Sequence, residues 1–206
     1  MVTSLSICIH SCIQKLVLNP IQTDLLERNE TIISPESGIL EVNDFVKNPN
    51  QWFEHFATGL CWNRRMQSRL TFTFGYAYDP GYGLRFIRVM PNYLEPLLEK
   101  INQLFGFWPN NCLLNYYPTG SHYISFHSDL GEEMKSGAGV AILSLGAVRT
   151  MVFRHIGNPD NQYFYSLKSG SVIYMKDEIQ QSWEHAILKQ TGRGHRISLS
   201  FRHLVN

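Results

Sequence analysis

Hydrophobic and polar positions fall into short strand-like runs through the C-terminal half of this chain. Residues 123–129, 140–145, 149–155, 163–167 and 171–175 read as strands. Gly146, Asn158-Pro159-Asp160-Asn161 and Ser169-Gly170 fall between the runs and supply turn chemistry. Arg196–Arg202 alternates most cleanly: Arg196, Ser198, Ser200 and Arg202 share one face, and Ile197, Leu199 and Phe201 take the other. Many short strands with regular turns predict an antiparallel sandwich or barrel, a double-stranded β-helix of jelly-roll type.

Helical spacing replaces alternation earlier in the chain. Leu94, Leu97, Leu98, Ile101, Leu104 and Phe105 predict a helix within 91–105 that stops at Gly106. Pro96 is tolerable only in the first turn, so the helix begins a few residues after Pro91. Residues 42–56 look helical in pieces, with Phe45, Trp52, Phe53 and Phe56 as packing residues. Residues 1–50, ending in the turn-rich Lys47-Asn48-Pro49-Asn50, read as an N-terminal extension packed on a catalytic domain at 51–206. The fold class expected is mainly β with flanking helices (α+β).

Composition narrows the picture. A chain of 206 residues can form one domain with a proper core. Net charge is +1, with an acidic first fifty residues and a mildly basic remainder, so any nucleic-acid contact must come from a local patch. Cys8, Cys12, Cys61 and Cys112 form no CxxC pair, which argues against a zinc ribbon and for reduced, packed thiols. No basic n-region or cleavage site marks a leader, and no apolar run is long enough to span a bilayer. A soluble, intracellular monomer is expected, cytoplasmic in a bacterium and nuclear or organellar in a eukaryote.

The chemistry is concentrated in His127-Ser128-Asp129, His185 and the strand that follows. Two histidines and one carboxylate are the ligand set of a non-haem Fe(II) oxygenase, which leaves metal positions open for co-substrate and dioxygen. His127 and Asp129 are two apart on a strand and so lie side by side. Arg196 and Arg202 suit a ligand with two carboxylates. The polar face of that strand could also be the wet side of a sheet edge, but beside HxD and a distant His a bound dianion explains it better. The combination reads as an iron enzyme that uses 2-oxoglutarate. His10, His55, His122, His155, His195 and His203 lack ligand-like partners and read as surface or packing residues, and Glu184 as exposed.

Asn115-Tyr116-Tyr117-Pro118-Thr119-Gly120, His127-Ser128-Asp129, His185 and RISLSFR together resemble the AlkB family of Fe(II)- and 2-oxoglutarate-dependent dioxygenases. The run Pro109-Asn110-Asn111-Cys112-Leu113-Leu114-Asn115-Tyr116-Tyr117 is especially similar to bacterial members, and Leu143-Ser144-Leu145-Gly146 with Arg149 also matches. The resemblance implies iron ligands at His127, Asp129 and His185. It further implies 2-oxoglutarate contacts from Asn115, Tyr117, Arg196, Ser198 and Arg202, with Arg196 on the distal carboxylate and Arg202 near the chelating end. Many relatives carry asparagine where Ser198 stands, and the shorter serine reaches the co-substrate less directly.

The resemblance also implies oxidative dealkylation of N-alkylated bases such as 1-methyladenine and 3-methylcytosine, in DNA and conceivably RNA, with release of formaldehyde, succinate and carbon dioxide. A base in a duplex must be flipped out to react. Residues 62–88, where Arg64, Arg65, Arg69, Arg85 and Arg88 interleave with aromatic side chains, correspond to the family's nucleotide-recognition lid, with Arg69, Tyr76 and Tyr78 as substrate contacts. Phe72 and Phe74 could equally fill a core. Several relatives place an acidic residue at the position of Gly131; here either Glu132 or Glu133 substitutes, or base discrimination differs. Two other readings stand beside this one: an iron hydroxylase acting on a protein, lipid or small molecule, and a binding module without catalysis. The Arg/aromatic lid disfavours the first, and the complete ligand set disfavours the second.

Overall fold

The computed structural model describes residues 31–33, 38–79, 84–129 and 134–205. Twelve strands appear among them: β1 (Thr31–Ile33), β2 (Ile39–Val42), β3 (Leu70–Asp79), β4 (Leu84–Arg88), β5 (Asn111–Tyr117) and β6 (Ile124–His127). The rest are β7 (Val140–Gly146), β8 (Arg149–His155), β9 (Asn158–Leu167), β10 (Val172–Met175), β11 (Trp183–Ile187) and β12 (Arg196–Arg202). They form an eight-stranded sheet in the order β1-β2-β10-β7-β12-β5-β3-β4 and a four-stranded sheet in the order β6-β11-β8-β9. Each pairing is antiparallel.

Alternation builds the layers. Ile197, Leu199 and Phe201 of β12, with Cys112 and Leu114 of β5 and Ala141, Leu143 and Leu145 of β7, join one core together with two helices. These are α1 (Pro49–Gly59), which buries Phe56, and α2 (Glu95–Phe105), which buries Leu97, Leu98 and Ile101. The opposite face of the large sheet supplies Tyr117, Val140, Ile142, Ile173 and Met175 to a second core. Met151, Phe153, Tyr165, Trp183 and Ile187 of the small sheet complete it. The result is a helix layer, a large sheet and a small sheet, mainly β with flanking helices as expected.

Helix boundaries follow from local chemistry. Pro96 lies in the first turn of α2, after a 3-10 turn at Asn92–Leu94, and Gly106 ends the helix with φ 77°. Pro49 likewise opens α1. The piecewise helix at 42–56 resolves into the end of β2, a turn and α1, with Phe45 buried beside Phe56 and with Trp52 and Phe53 half-buried.

Local details qualify the sequence reading. The expected boundary at residue 50 falls inside α1, and β2, which precedes it, pairs with β10 in the large sheet. The turn between β8 and β9 uses Ile156 and Gly157, and Asn158-Pro159-Asp160-Asn161 belongs to β9. A register shift at Arg154/His155 absorbs the proline there, because a bulge removes the need for a ladder donor. The wet-edge alternative for β12, already disfavoured, is excluded, since β5 and β7 flank it on both sides. Alternation separates the faces of a strand but says nothing about what covers them. Cys61 is exposed, not packed, whereas Cys112 is buried, and both are free thiols. No helix among the described residues is long and apolar enough to cross a membrane.

Candidate metal centre

β6 and β11 are neighbours in the small sheet, and their register sets His127 directly across from His185. Their ring centroids lie 4.4 Å apart. Asp129 follows β6 and turns back toward both, with Oδ2 3.5 Å from His185 Nε2 and Oδ1 4.0 Å from His127 Nε2. One ligand atom from each residue lies within 4.8 Å of the others, a spacing that one cation can bridge. Residues 123–129 are thus a shorter strand than expected, ending at His127.

Protonation states suit a metal. His127 Nδ1 lies 2.8 Å from the Ser125 carbonyl oxygen, which can only accept, so in the neutral ring the proton sits on Nδ1 and Nε2 carries the lone pair. Burial pushes the His185 pKa down to about 4, against the pull of Asp129, so this imidazole is neutral at pH 7. Burial alone would raise the Asp129 pKa, but Arg202, His185 and His127 outweigh it and hold the carboxyl at about 2. Arg202 donates to Asp129 Oδ1, while Oδ2 is buried without a hydrogen-bond partner. An orphaned carboxylate oxygen between two imidazoles fits a cation.

The centre opens into a cavity of about 180 Å³ whose lining includes Asn115, Tyr117, Arg196, Ser198 and Arg202. Arg196 is wholly buried and donates from Nη2 to Ser144 Oγ at 3.0 Å. Its Nε and Nη1 are buried without partners. Burial lowers its pKa and Tyr117, whose ring centroid is 5.2 Å from the guanidinium carbon, opposes the shift. An arginine stays charged in proteins, so two unmatched donors on a buried cation fit a carboxylate. Ser198 and Ser200 line the wall on the same face of β12.

The expected lid residues divide. Arg69 lines the cavity and donates from Nε to Asn115 Oδ1 at 2.8 Å. β3 parts from β5 at Gly75, where φ is +75° and a Cβ would lie 2.0 Å from Asn110 O. Beyond it β3 pairs with β4 alone, and Tyr76 is exposed on this projecting hairpin, away from the cavity lining. The side chains of Tyr78 and Arg85, and residues Gly131, Glu132 and Glu133, lie outside the described residues. Arg64 and Arg65 are exposed, while Arg88 donates to Thr73 O and covers the Phe72 ring at 4.3 Å. Phe72 packs on Phe74 and Trp62, so the core-filling reading holds for these aromatics.

Other residues around the site received no role in it from the sequence, although Gly120 and Arg149 stood in the matched motifs. Leu113, Ile124, Ile142, Met151 and Ile187 form the apolar cavity wall, and the strand alternation carried that signal. Arg149 is wholly buried and donates to Gln190 Oε1, His122 O and Leu188 O, tying together the loops beside the cavity. Gly120 belongs to the same joint, because a Cβ there would lie 1.9 Å from Gln190 O. Gln180 accepts the Asp129 backbone N–H, and no sequence pattern marks it. Glu184 is not simply exposed: it pairs with Arg154 at 2.7 Å.

A family model described as the 2OG-Fe(II) oxygenase superfamily matches residues 33–202. The DNA oxidative demethylase ALKBH2 of Mus musculus is 26% identical over 120 residues, covering 54% of this chain and 50% of that protein. ALKBH2 of Homo sapiens is 28% identical over 120 residues, covering 54% and 46%. Uncharacterized protein R406 of Acanthamoeba polyphaga mimivirus is 29% identical over 111 residues, covering 52% and 56%. The chain spans about half the length of the curated relatives it matches. Among solved structures, OsALKBH1 superposes with a TM-score of 0.64 at 17% identity, over 84% of this chain and 98% of that one. A Pseudomonas putida prolyl-4-hydroxylase gives 0.53 at 15% identity, over 81% and 92%. Both likenesses speak to the fold, the jelly roll anticipated from the strand pattern. Matched along nearly all of its described length, the chain belongs to the 2OG-Fe(II) oxygenase superfamily, with relatives of AlkB type and with Fe(II), 2-oxoglutarate and dioxygen as cofactors.

Proposed function

We propose that this protein oxidatively dealkylates N-alkylated nucleobases in nucleic acid. The observation that carries the reading is one cavity holding both the His127, Asp129 and His185 cluster and the partnerless nitrogens of buried Arg196, with Arg69, just before β3, at its wall. The names of the ALKBH2 relatives support a DNA substrate.

In this reading His127, Asp129 and His185 would hold the iron, and Arg196 would receive a carboxylate of 2-oxoglutarate. When bound, the pair supplies an oxidation in which dioxygen and 2-oxoglutarate yield succinate, carbon dioxide and a hydroxylated substrate carbon. The chain's own contribution is orientation. Arg196 would fix the distal carboxylate through Nε and Nη1, and Asn115 and Tyr117 line the same cavity from one face of β5. Arg202 holds Asp129 Oδ1, and Oδ2, buried without a hydrogen-bond partner, would be the oxygen available to the metal. The apolar side chains of Ile124, Ile142, Met151 and Ile187 exclude water from the reacting groups. Arg69 at the cavity wall and the β3–β4 hairpin with its exposed Tyr76 would receive a flipped base, with Tyr78 as a further contact expected from the sequence.

Mass spectrometry of methylated oligonucleotides incubated with protein, Fe(II), ascorbate and 2-oxoglutarate tests this. DNA and RNA strands, single and double, would carry 1-methyladenine or 3-methylcytosine. Loss of one methyl mass that depends on iron and 2-oxoglutarate is expected. Succinate formation with every methyl group intact would redirect the oxygenase to a protein, lipid or small-molecule substrate.

A further inference from the structure

Two of the three candidate ligands stand on strands that hold each other, since His127 and His185 face across the β6–β11 ladder. Asp129 does not share that support. It lies beyond the last residue of β6, where no ladder fixes its backbone. Its N–H is received by Gln180 Oε1 at 2.9 Å. Gln180 is 4% exposed and sits on the 3-10 turn Glu178–Gln181, which leads directly into β11 and His185. Its other end, Nε2, meets Met175 Sδ at 3.7 Å, a weak acceptor. A backbone N–H can only donate, so the amide must present its oxygen to Asp129.

We infer that Gln180 is a positioning residue that sets the metal affinity of this site through the backbone of Asp129. The inference rests on reading His127, Asp129 and His185 as the metal centre. Arg202 holds Oδ1 of the Asp129 carboxylate, while the position of the backbone from which that side chain springs is set by what holds its N–H. The Gln180 tether supplies the hold, and it leaves Oδ2 facing His185. The tether comes from the turn that feeds β11, so Asp129 and His185 are placed by one continuous segment. The amide is neutral and acts on affinity without adding charge to the ligand set. Partners of this kind, one step removed from the metal, are worth roughly 10- to 100-fold in affinity.

The test is titration of metal-free protein with Co(II) alone, followed by its visible d–d absorption, beside the thermal midpoint of each metal-free variant. Gln180→Met is expected to weaken Co(II) binding about tenfold or more while its metal-free midpoint stays near wild type. Gln180→Glu keeps an acceptor at the same reach and is expected to restore binding to within about threefold of wild type. Should Gln180→Met not fold, Gln180→Asn, whose amide is too short to reach, takes its place with the same expected loss. Wild-type affinity in the variant lacking the acceptor, or equal losses in Gln180→Met and Gln180→Glu, would overturn the inference. A wild-type protein that bound no Co(II) would instead overturn the metal-centre reading on which it rests.

Discussion

Arg202 donates to Oδ1 of Asp129, and the other oxygen of that carboxylate faces His185 Nε2 at 3.5 Å. The side chains of Arg202 and Asp129 are only 16% and 7% exposed, so the charge on Asp129 is stabilised chiefly by its neighbours and little by water. Removing one partner of a buried pair strands the other charge, at a cost of about 3–5 kcal/mol. Arg202→Met is therefore expected to lower the stability of metal-free protein at pH 7 by roughly 3 kcal/mol in urea unfolding. The gap should close toward pH 2, as Asp129 becomes protonated. A gap that persists at acid pH would assign the loss to packing.

The depressed His185 pKa has its own signature. Folded His185 titrates near 4 and its unfolded counterpart near 6.5, so the unfolded chain binds more protons between those values. Metal-free protein should lose stability as the pH falls through that window, by a few kcal/mol in all. The Asp129 carboxyl, held near 2, adds its own loss only below the ordinary carboxylate range. Urea midpoints from pH 7 to pH 3 check this, and His185→Gln should flatten the profile between 6.5 and 4.

The site was more legible in the sequence than its supports. The HxD spacing pointed to His127 and Asp129 as neighbours, although Asp129 lies past the end of β6, and the two faces of β12 were separable because one is wholly apolar. The burial of β12 between β5 and β7 was not legible, since pairing partners are distant in the chain and leave no local mark. β2 was missed for a related reason: four residues are too few for a period, and only pairing with β10 and β1 makes them a strand. Asn158-Pro159-Asp160-Asn161 read as a turn because each residue favours one locally, yet the β8 partner strand held them in register past a bulge. Gln180 carries no pattern because a single side chain reaching a backbone N–H needs no periodicity.

Arg196 answers to the co-substrate. Its Nε and Nη1 are buried without partners, and charge-assisted hydrogen bonds contribute about 1.5–3 kcal/mol each. Arg196→Met should raise the apparent KM for 2-oxoglutarate by at least about a hundredfold while Co(II) affinity changes little. An unchanged 2-oxoglutarate titration would move the distal carboxylate to another cation.

Arg69 should act on both sides of the reaction. It belongs to the segment read as a nucleic-acid lid, yet it donates to Asn115 Oδ1 inside the cavity. Arg69→Ala is expected to weaken oligonucleotide binding and also to raise the 2-oxoglutarate requirement several-fold, because Asn115 loses a charged partner. Parallel measurement of the two constants decides, and a change in only one would confine Arg69 to that side.

The order of strands in the large sheet has a consequence for how the protein acquires its structure. β5 and β7 never touch in the ladder; β12, which follows both in the chain, is inserted between them. Until that strand arrives each has an unsatisfied inner edge, and the two halves of the sheet have no direct connection. The same insertion delivers Arg196 and Arg202. Assembly of the sheet and of its cationic pocket is thus a single late event of high contact order, which predicts slow folding and no stable intermediate with a complete sheet and a missing site.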